Sequence, residues 1–151
     1  MSQQRVGHRH LAQLNVAVML EPLDTPRMAT FTERLAEVNA AAERADGFVW
    51  RLQDEDGPGA TSFRMLGNDM LIVNLSVWQD LASLREFVYQ EAGHRDALAV
   101  RRQWFERAAE PMTVCWYVDE GHLPSLAEAE AMLLGLRTNG PSAEVFPFSA
   151  R

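Results

Sequence analysis

The feature that most constrains the fold is the order in which two hydrophobic periods follow one another along the chain. In Leu11–Met19, LAQLNVAVM, apolar residues recur at every second position, which is typical of a strand. Thr25 and Pro26 then begin a stretch with apolar residues at 28, 31, 35, 38 and 42, and Gly47 follows its end. That spacing and those terminal residues predict an amphipathic helix with Thr25 as its N-cap. A strand and then a helix therefore open the chain.

The elements after Gly47 alternate in the same way. In chain order they are predicted as strands at 48–53 and 70–78, linked helices from Asp80 and from Gly93 to about Arg107, a strand at 112–118, and a helix that Ser125 and Glu128 begin as a capping box. The order β-α-β-β-α-β with a further helix predicts an α+β fold of the ferredoxin-like split βαβ type, with an antiparallel sheet. Residues 1–151 are expected to form a single domain, with 1–10 flexible.

Both faces of the predicted sheet carry large side chains. Trp50 alternates with Arg51 in one strand, and Trp116 alternates with Cys115 in another. A sheet with one face in water should be polar at alternate positions, yet this topology is expected to lay its helices on one face only. We therefore predict that two copies pack their sheets together across a two-fold axis, giving a homodimeric α/β barrel.

The composition excludes several classes of function. All 14 basic residues are arginines, so the chain has no lysine for a Schiff base, a pyridoxal phosphate anchor or a Walker phosphate loop. A formal net charge of -7 argues against a nucleic-acid partner. The single cysteine, Cys115, rules out an internal disulfide and a cysteine-clustered metal site, and its apolar neighbours predict a buried strand residue. With neither a signal peptide nor a membrane span in the sequence, a cytoplasmic protein is expected.

Four segments of the chain resemble one bacterial family. They are LAQLNVAVMLEPLDTPRMATFTERLAEVNAAAERADGFVWRLQDEDG, LIVNLSVWQDLASLREFVY, HRDALAVRRQWFE and GHLPSLAEAEAMLLGLRTNGPS. Together they resemble the family catalogued as domain of unknown function 3291, over residues 11–148. That family is similar in fold to the antibiotic-biosynthesis monooxygenases and the stress-responsive dimeric α/β barrel proteins. The resemblance implies the barrel architecture and leaves the activity open, because the wider group includes cofactor-free oxygenases of polycyclic phenols, haem proteins, isomerases and proteins without known chemistry.

The predicted helix after Gly93 gathers unusual chemistry. His94 and Arg101 fall on one face of it, with Trp104 alongside, whereas Arg102 is turned toward solvent. An inward guanidinium is always charged and needs a partner. That partner is either a carboxylate, such as Glu86, Glu91 or Asp96, or an anionic ligand.

Three roles are open for His94. It can be a structural residue that bonds the backbone at the helix start, or a general acid/base, because histidine titrates in the useful range. The resemblance adds a third role, since haem-binding barrels of the group often take their axial ligand from a histidine on the corresponding helix.

The predicted strands supply further candidates. Asn15 and Asn74 lie among apolar neighbours although asparagine is depleted in strands, and a buried amide must be hydrogen-bonded. If Leu14, Val16 and Val18 face the helices, Gln13 and Asn15 line the opposite face. The remaining candidates are aromatic walls at Trp50, Trp104 and Trp116, which are alternatively plain core residues, and Arg51, Arg64 and Tyr89 at a pocket rim or on the surface.

The first hypothesis for function is a cofactor-free, monooxygenase-like enzyme acting on an aromatic or polyketide-like metabolite. The catalytic residues would be His94, Arg101, Asn15 and Asn74, and the substrate-binding residues Trp50, Trp104, Trp116, Gln13, Arg51 and Tyr89, without a metal. Amide and guanidinium donors would stabilise an enolate or phenolate, and His94 would move a proton. The alternatives are a haem protein that uses His94, and a non-catalytic ligand-binding or stress-response dimer.

Overall fold

The computed structural model describes residues 9–53, 63–91 and 102–148. Within them the elements are β1 (Arg9–Val18), α1 (Pro26–Arg44), β2 (Phe48–Arg51), β3 (Leu71–Trp78), α2 (Leu81–Glu91), β4 (Thr113–Asp119), α3 (Leu126–Asn139) and β5 (Val145–Phe146). The strands form one antiparallel sheet in the order β2-β3-β1-β4-β5. Because β1 lies between β3 and β4, each β-α-β unit is split by a strand of the other, and the predicted α+β, ferredoxin-like class is confirmed.

Of the two predicted N-caps, Thr25 and Ser125, one makes a capping hydrogen bond. Thr25 precedes α1, but its Oγ1 donates to the carbonyl of Pro22 and makes no side-chain cap. At α3 the predicted cap is confirmed, because the Oγ of Ser125 accepts from the backbone N–H of Glu128 at 3.1 Å.

The turn between α1 and β2 requires its glycine. Gly47 has φ +84°, and a Cβ there would collide with the side chain of Ser83. Glycine is therefore the residue that permits both the backbone conformation and the close packing against α2.

The segment before β4 differs from its prediction. Residues 93–101 of the helix predicted to reach Arg107 lie outside the described residues, but 102–104 form a turn and Phe105 forms a bridge with Met19. The N–H of Leu20 donates to the carbonyl of Trp104 at 2.7 Å, and the N–H of Glu106 donates to Val18 at 2.8 Å. The prediction of helix over this part is wrong because its backbone groups pair with the end of β1. β5, which pairs with β4, was not predicted either.

Helices cover both faces of the sheet. On the α3 face, named for the helix that covers it, the strands contribute Ala12, Leu14, Val16, Val73, Leu75, Val77, Val114, Trp116 and Val118, which pack with Ala129, Leu133 and Leu136 of α3. On the α1/α2 face, Leu11 and Trp78 pack with Ala42 of α1 and Leu84 of α2. The prediction that helices occupy one face is therefore wrong, and the chain buries the second face with its own α3. The homodimer stays a prediction, but an uncovered sheet face no longer supports it.

Candidate functional site

A band of polar side chains crosses the α1/α2 face. Gln13 and Asn15 of β1 lie directly opposite Ser76 and Asn74 of β3, respectively. All four alternate with residues of the α3 face, so they point toward α1 and α2. We call these four residues the amide band. Gln13 and Asn15 thus lie beneath α1 and α2, and not, as predicted from the sequence, on a helix-free face between two copies.

Hydrogen bonds join three of the four residues of the amide band. The Nε2 of Gln13 donates to the Oδ1 of Asn74 at 2.7 Å and to the Oγ of Ser76 at 2.8 Å. The same Oγ accepts from the indole Nε1 of Trp78 at 2.9 Å. Gln13, Ser76 and Trp78 are buried, and buried polar groups in a satisfied network hold a single geometry.

Two residues of the amide band have unused hydrogen-bonding capacity. The side chain of Asn15 makes no hydrogen bond within the described residues, and the amide nitrogen of Asn74 donates none there. Both residues are half-buried. Directly opposed residues of neighbouring strands have Cβ atoms about 5 Å apart, so the two amides can converge on one ligand oxygen.

Apolar side chains flank the amide band on both sides along the strands. At one end, Trp78 stacks at a tilt on Phe87, with ring centroids 5.2 Å apart. At the other end, Phe31 and Trp104 meet edge to face at 5.5 Å. A polar strip between aromatic groups is the arrangement expected of a site for a largely apolar ligand with a few oxygen atoms.

The three tryptophans predicted to bind substrate divide between the faces. Trp104 lies on the α1/α2 face, where its indole donates to the Oγ1 of Thr30 at 2.9 Å. Trp50 and Trp116 lie on the α3 face, and the indole of Trp116 donates to Glu128 at 3.0 Å. Only Trp104 therefore shares a face with the amide band.

Arg51 lies beside the amide band and not at a rim. It is only 8% exposed and lies opposite Ser76 in the sheet register. Its Nε donates to the Oε2 of Glu43 on α1 at 2.9 Å. The expectation of a rim residue is wrong because the side chain points under α1.

The remaining candidates do not join this group. Tyr89 is 68% exposed on α2, and Arg64 bonds the carbonyls of Phe63 and Asp69. His94 and Arg101, together with the question of which carboxylate pairs with Arg101, lie outside the described residues.

The sequence analysis missed three residues of this face. Ser76 and Trp78 follow Asn74 at every second position of β3, so the strand period alone could have found them. Asn39 is buried on α1 together with Phe31 and Ala42, at the place in the buried stripe where Val38 was predicted. A polar residue at that helical spacing was the available signal.

Cys115 is buried on the same face, as predicted. Burial raises the pKa of its thiol to about 12, against a smaller opposing effect of Arg85. The thiol is therefore protonated at neutral pH and is no nucleophile.

The described residues contain neither a cluster of metal-ligating side chains nor a helix able to cross a membrane. Residues 9–53, 63–91 and 102–148 contain no group of three or more His, Cys, Asp or Glu side chains placed to hold a metal ion. In the same ranges, every helix is too short or too polar to cross a membrane.

Comparisons with known proteins give one family and a few similar structures. The model of the family described as domain of unknown function (DUF3291) matches residues 10–151. No curated protein matches the chain. Among solved structures, SnoaB, a cofactor-independent oxygenase from Streptomyces nogalater, is 18% identical, with 79% of this chain and 98% of that chain covered and a TM-score of 0.44. A variant of SnoaB gives 17% identity, 77% and 98% coverage and a TM-score of 0.45.

A third structure, from Nitrosomonas europaea, belongs to a protein whose assignment as an antibiotic biosynthesis monooxygenase is provisional. It is 16% identical, with 79% of this chain and 96% of that chain covered, at a TM-score of 0.38. Because these scores are low, the fold assignment rests on the strand order of this chain.

Proposed function

The chain belongs to the family described as domain of unknown function (DUF3291), and we propose a function from the site itself. The protein binds an aromatic or polyketide-like metabolite against the amide band. There it acts as a cofactor-free, monooxygenase-like enzyme. The observation that carries the proposal is the opposed pair Asn15 and Asn74, which has unused donors between two aromatic clusters.

The amide pair suits a ligand oxygen that gains negative charge during reaction. The Nε2 of Gln13 donates to the Oδ1 of Asn74, so the amide nitrogen of Asn74 points away from Gln13 and can donate to a ligand oxygen. Fixed N–H donors in a site that excludes water stabilise an oxyanion more than water does. An enolate or phenolate held there would be electron-rich enough to react with dioxygen.

The proposed reaction balances with dioxygen as the only oxidant. A tricyclic phenol tautomer such as anthrone loses a proton from its methylene carbon, and the negative charge spreads onto its oxygen. Addition of dioxygen and a proton to that carbon forms a hydroperoxide, and cleavage of the O–O bond with loss of the second hydrogen gives a carbonyl and water. One anthrone and one dioxygen thus yield one anthraquinone and one water. Within this proposal His94 moves the proton, and Arg101 supports the developing anion.

Oxygen uptake with anthrone tests the proposal. We expect the wild-type protein, free of added cofactor, to consume one dioxygen per anthraquinone formed, and Asn74→Ala to lower kcat/KM by about 10²-fold, as loss of one oxyanion donor does. Asn139→Ala, which removes an exposed amide at the end of α3, is the matched control and should leave the rate unchanged.

Other results would select the alternatives. If anthrone binds without oxygen uptake, the protein is a ligand-binding dimer or monomer without this chemistry. A Soret band after haem addition that disappears in His94→Ala would select the haem protein. Equal rates in wild type and in Asn74→Ala would contradict the role of the amide pair.

A further inference from the structure

Arg51 is the one described residue that combines deep burial with an incompletely satisfied charge. The side chain is only 8% exposed, and its Nη1 is shielded from solvent without any hydrogen-bond partner. A buried charged donor that lacks a partner is costly for folding. Such a group in a folded protein calls for an explanation, and a ligand that completes its hydrogen bonds is one.

Glu43 satisfies the guanidinium only in part. Its Oε2 accepts from the Nε of Arg51 at 2.9 Å, while the Glu43 side chain is 43% exposed. A carboxylate usually engages two parallel N–H groups of the arginine fork. Here Glu43 contacts only the Nε of Arg51. Because the Glu43 side chain is long and half-exposed, it can move aside at low cost.

The position of Arg51 connects it to the amide band. Arg51 lies opposite Ser76, Ser76 lies opposite Gln13, and Gln13 bonds Asn74. Asn39 of α1 is one helical turn before Glu43 and is buried over the same face. A row of polar groups therefore runs from the guanidinium to the unused amides of Asn15 and Asn74.

We infer that Arg51 is the specificity-determining residue of this site, and that the ligand carries an anionic oxygen, as a carboxylate, phenolate or enolate, which pairs with the guanidinium. The inference rests on the proposed binding site and adds the charge of the ligand to it. In the free protein Glu43 is the counter-charge, and neighbouring side chains close over Nη1. On binding, Glu43 moves aside and the ligand oxygen reaches the Nη edge of the fork.

The charge of the whole chain makes this local cation necessary. A formal net charge of -7 disfavours the approach of an anion at long range. Selective binding of an anionic aromatic molecule therefore needs a buried positive group, and Arg51 provides one on the α1/α2 face.

Calorimetric titration with two matched probes, α-naphthoate and the neutral α-naphthamide, tests the inference. Wild type is expected to bind the anion at least tenfold more tightly than the amide, as one charge-assisted hydrogen bond predicts. Arg51→Met should bind both probes equally, with unchanged affinity for the amide. Arg44→Met, which removes an exposed arginine next to Glu43, is the control for net charge and should keep the preference.

A second variant leaves the arginine in place. Glu43→Gln removes the competing carboxylate, so the affinity for α-naphthoate should rise several-fold and that for α-naphthamide should not change. Equal binding of both probes by wild type, or a preference that persists in Arg51→Met, would overturn the inference and leave the proposed site intact. Binding of neither probe to wild type would overturn the proposed site together with the inference.

Discussion

At the scale of single residues, the deciding property is which face of the sheet a side chain points to. The strand period predicts that Asn15 shares a face with Gln13, and the same period puts Ser76 and Trp78 on the face of Asn74, although neither was a predicted site residue. It could not tell which of the two faces lay under α1 and α2. Trp50 and Trp116 were therefore grouped with the amides, although they lie on the α3 face.

The buried thiol of Cys115 makes stability depend on pH. Its pKa is raised from an ordinary value of 9.0 to about 12, so above pH 9 the unfolded chain releases a proton that the folded chain keeps. This contribution to stability is complete below the lower pKa, and it is lost as the pH rises toward the upper one. The free energy of unfolding should fall by up to about 1.4 kcal/mol per pH unit in that window.

Urea unfolding at pH 7.5, 9 and 10 measures this effect, with Cys115→Ala as the reference that cannot titrate. The wild-type protein should lose more stability than the variant between pH 9 and 10. Parallel curves for the two proteins would show that the thiol does not titrate differently on folding.

At the scale of elements, α3 shows how a short local signal fixes a large part of the packing. The spacing of Ser125 and Glu128 predicts the cap. In the structure the Glu128 carboxylate also accepts a hydrogen bond from the Trp116 indole and bonds His122 at 2.7 Å. The start of α3 is thus tied to the sheet that it covers. The segment before β4 is the opposite case, because its helical spacing was outweighed by backbone bonds to β1.

Removal of the α3 cap should destabilise the whole domain. Ser125→Ala loses the bond to the Glu128 N–H, and we expect a loss of about 1 kcal/mol in the free energy of unfolding. Ser125→Thr retains a hydroxyl acceptor and should recover most of it. Thermal unfolding followed by tryptophan fluorescence measures both variants, and an unchanged Tm in Ser125→Ala would contradict the role of the cap.

At the scale of the whole molecule, helices of the same chain pack on both faces of the sheet. The α3 face, which carries Leu14 and Val16, packs against Ala129, Leu133 and Leu136 of α3, and the face with Gln13 and Asn15, which was predicted to meet a second copy, lies under α1 and α2. A second copy cannot pack against the part of the α3 face that α3 covers, next to β4 and β5. Trp116 and Cys115, two of the residues behind the dimer prediction, are buried within one chain, whereas Trp50 is only partly buried there.

The oligomeric state is measurable directly. We expect static light scattering to give about twice the chain mass of 17.0 kDa, as the resemblance to dimeric α/β barrels implies. Hydrogen exchange should show the strands equally protected in dimer and diluted monomer, because α3 and not a partner covers the α3 face. A mass equal to that of one chain at high protein concentration would contradict the predicted dimer.

The sequence by itself determined the order of β1 to β4 and of α1, α2 and α3, the α3 cap, the burial of Cys115, and the shared face of Gln13 and Asn15. These features depend on the spacing of apolar and polar residues within one element, which is visible in the sequence itself. Only the tertiary structure decided that α3 packs on the second face, that Arg51 is buried against Glu43, and that Asn39 is buried on α1. Each of these depends on contacts between residues on different elements, for which a single sequence holds no periodic signal.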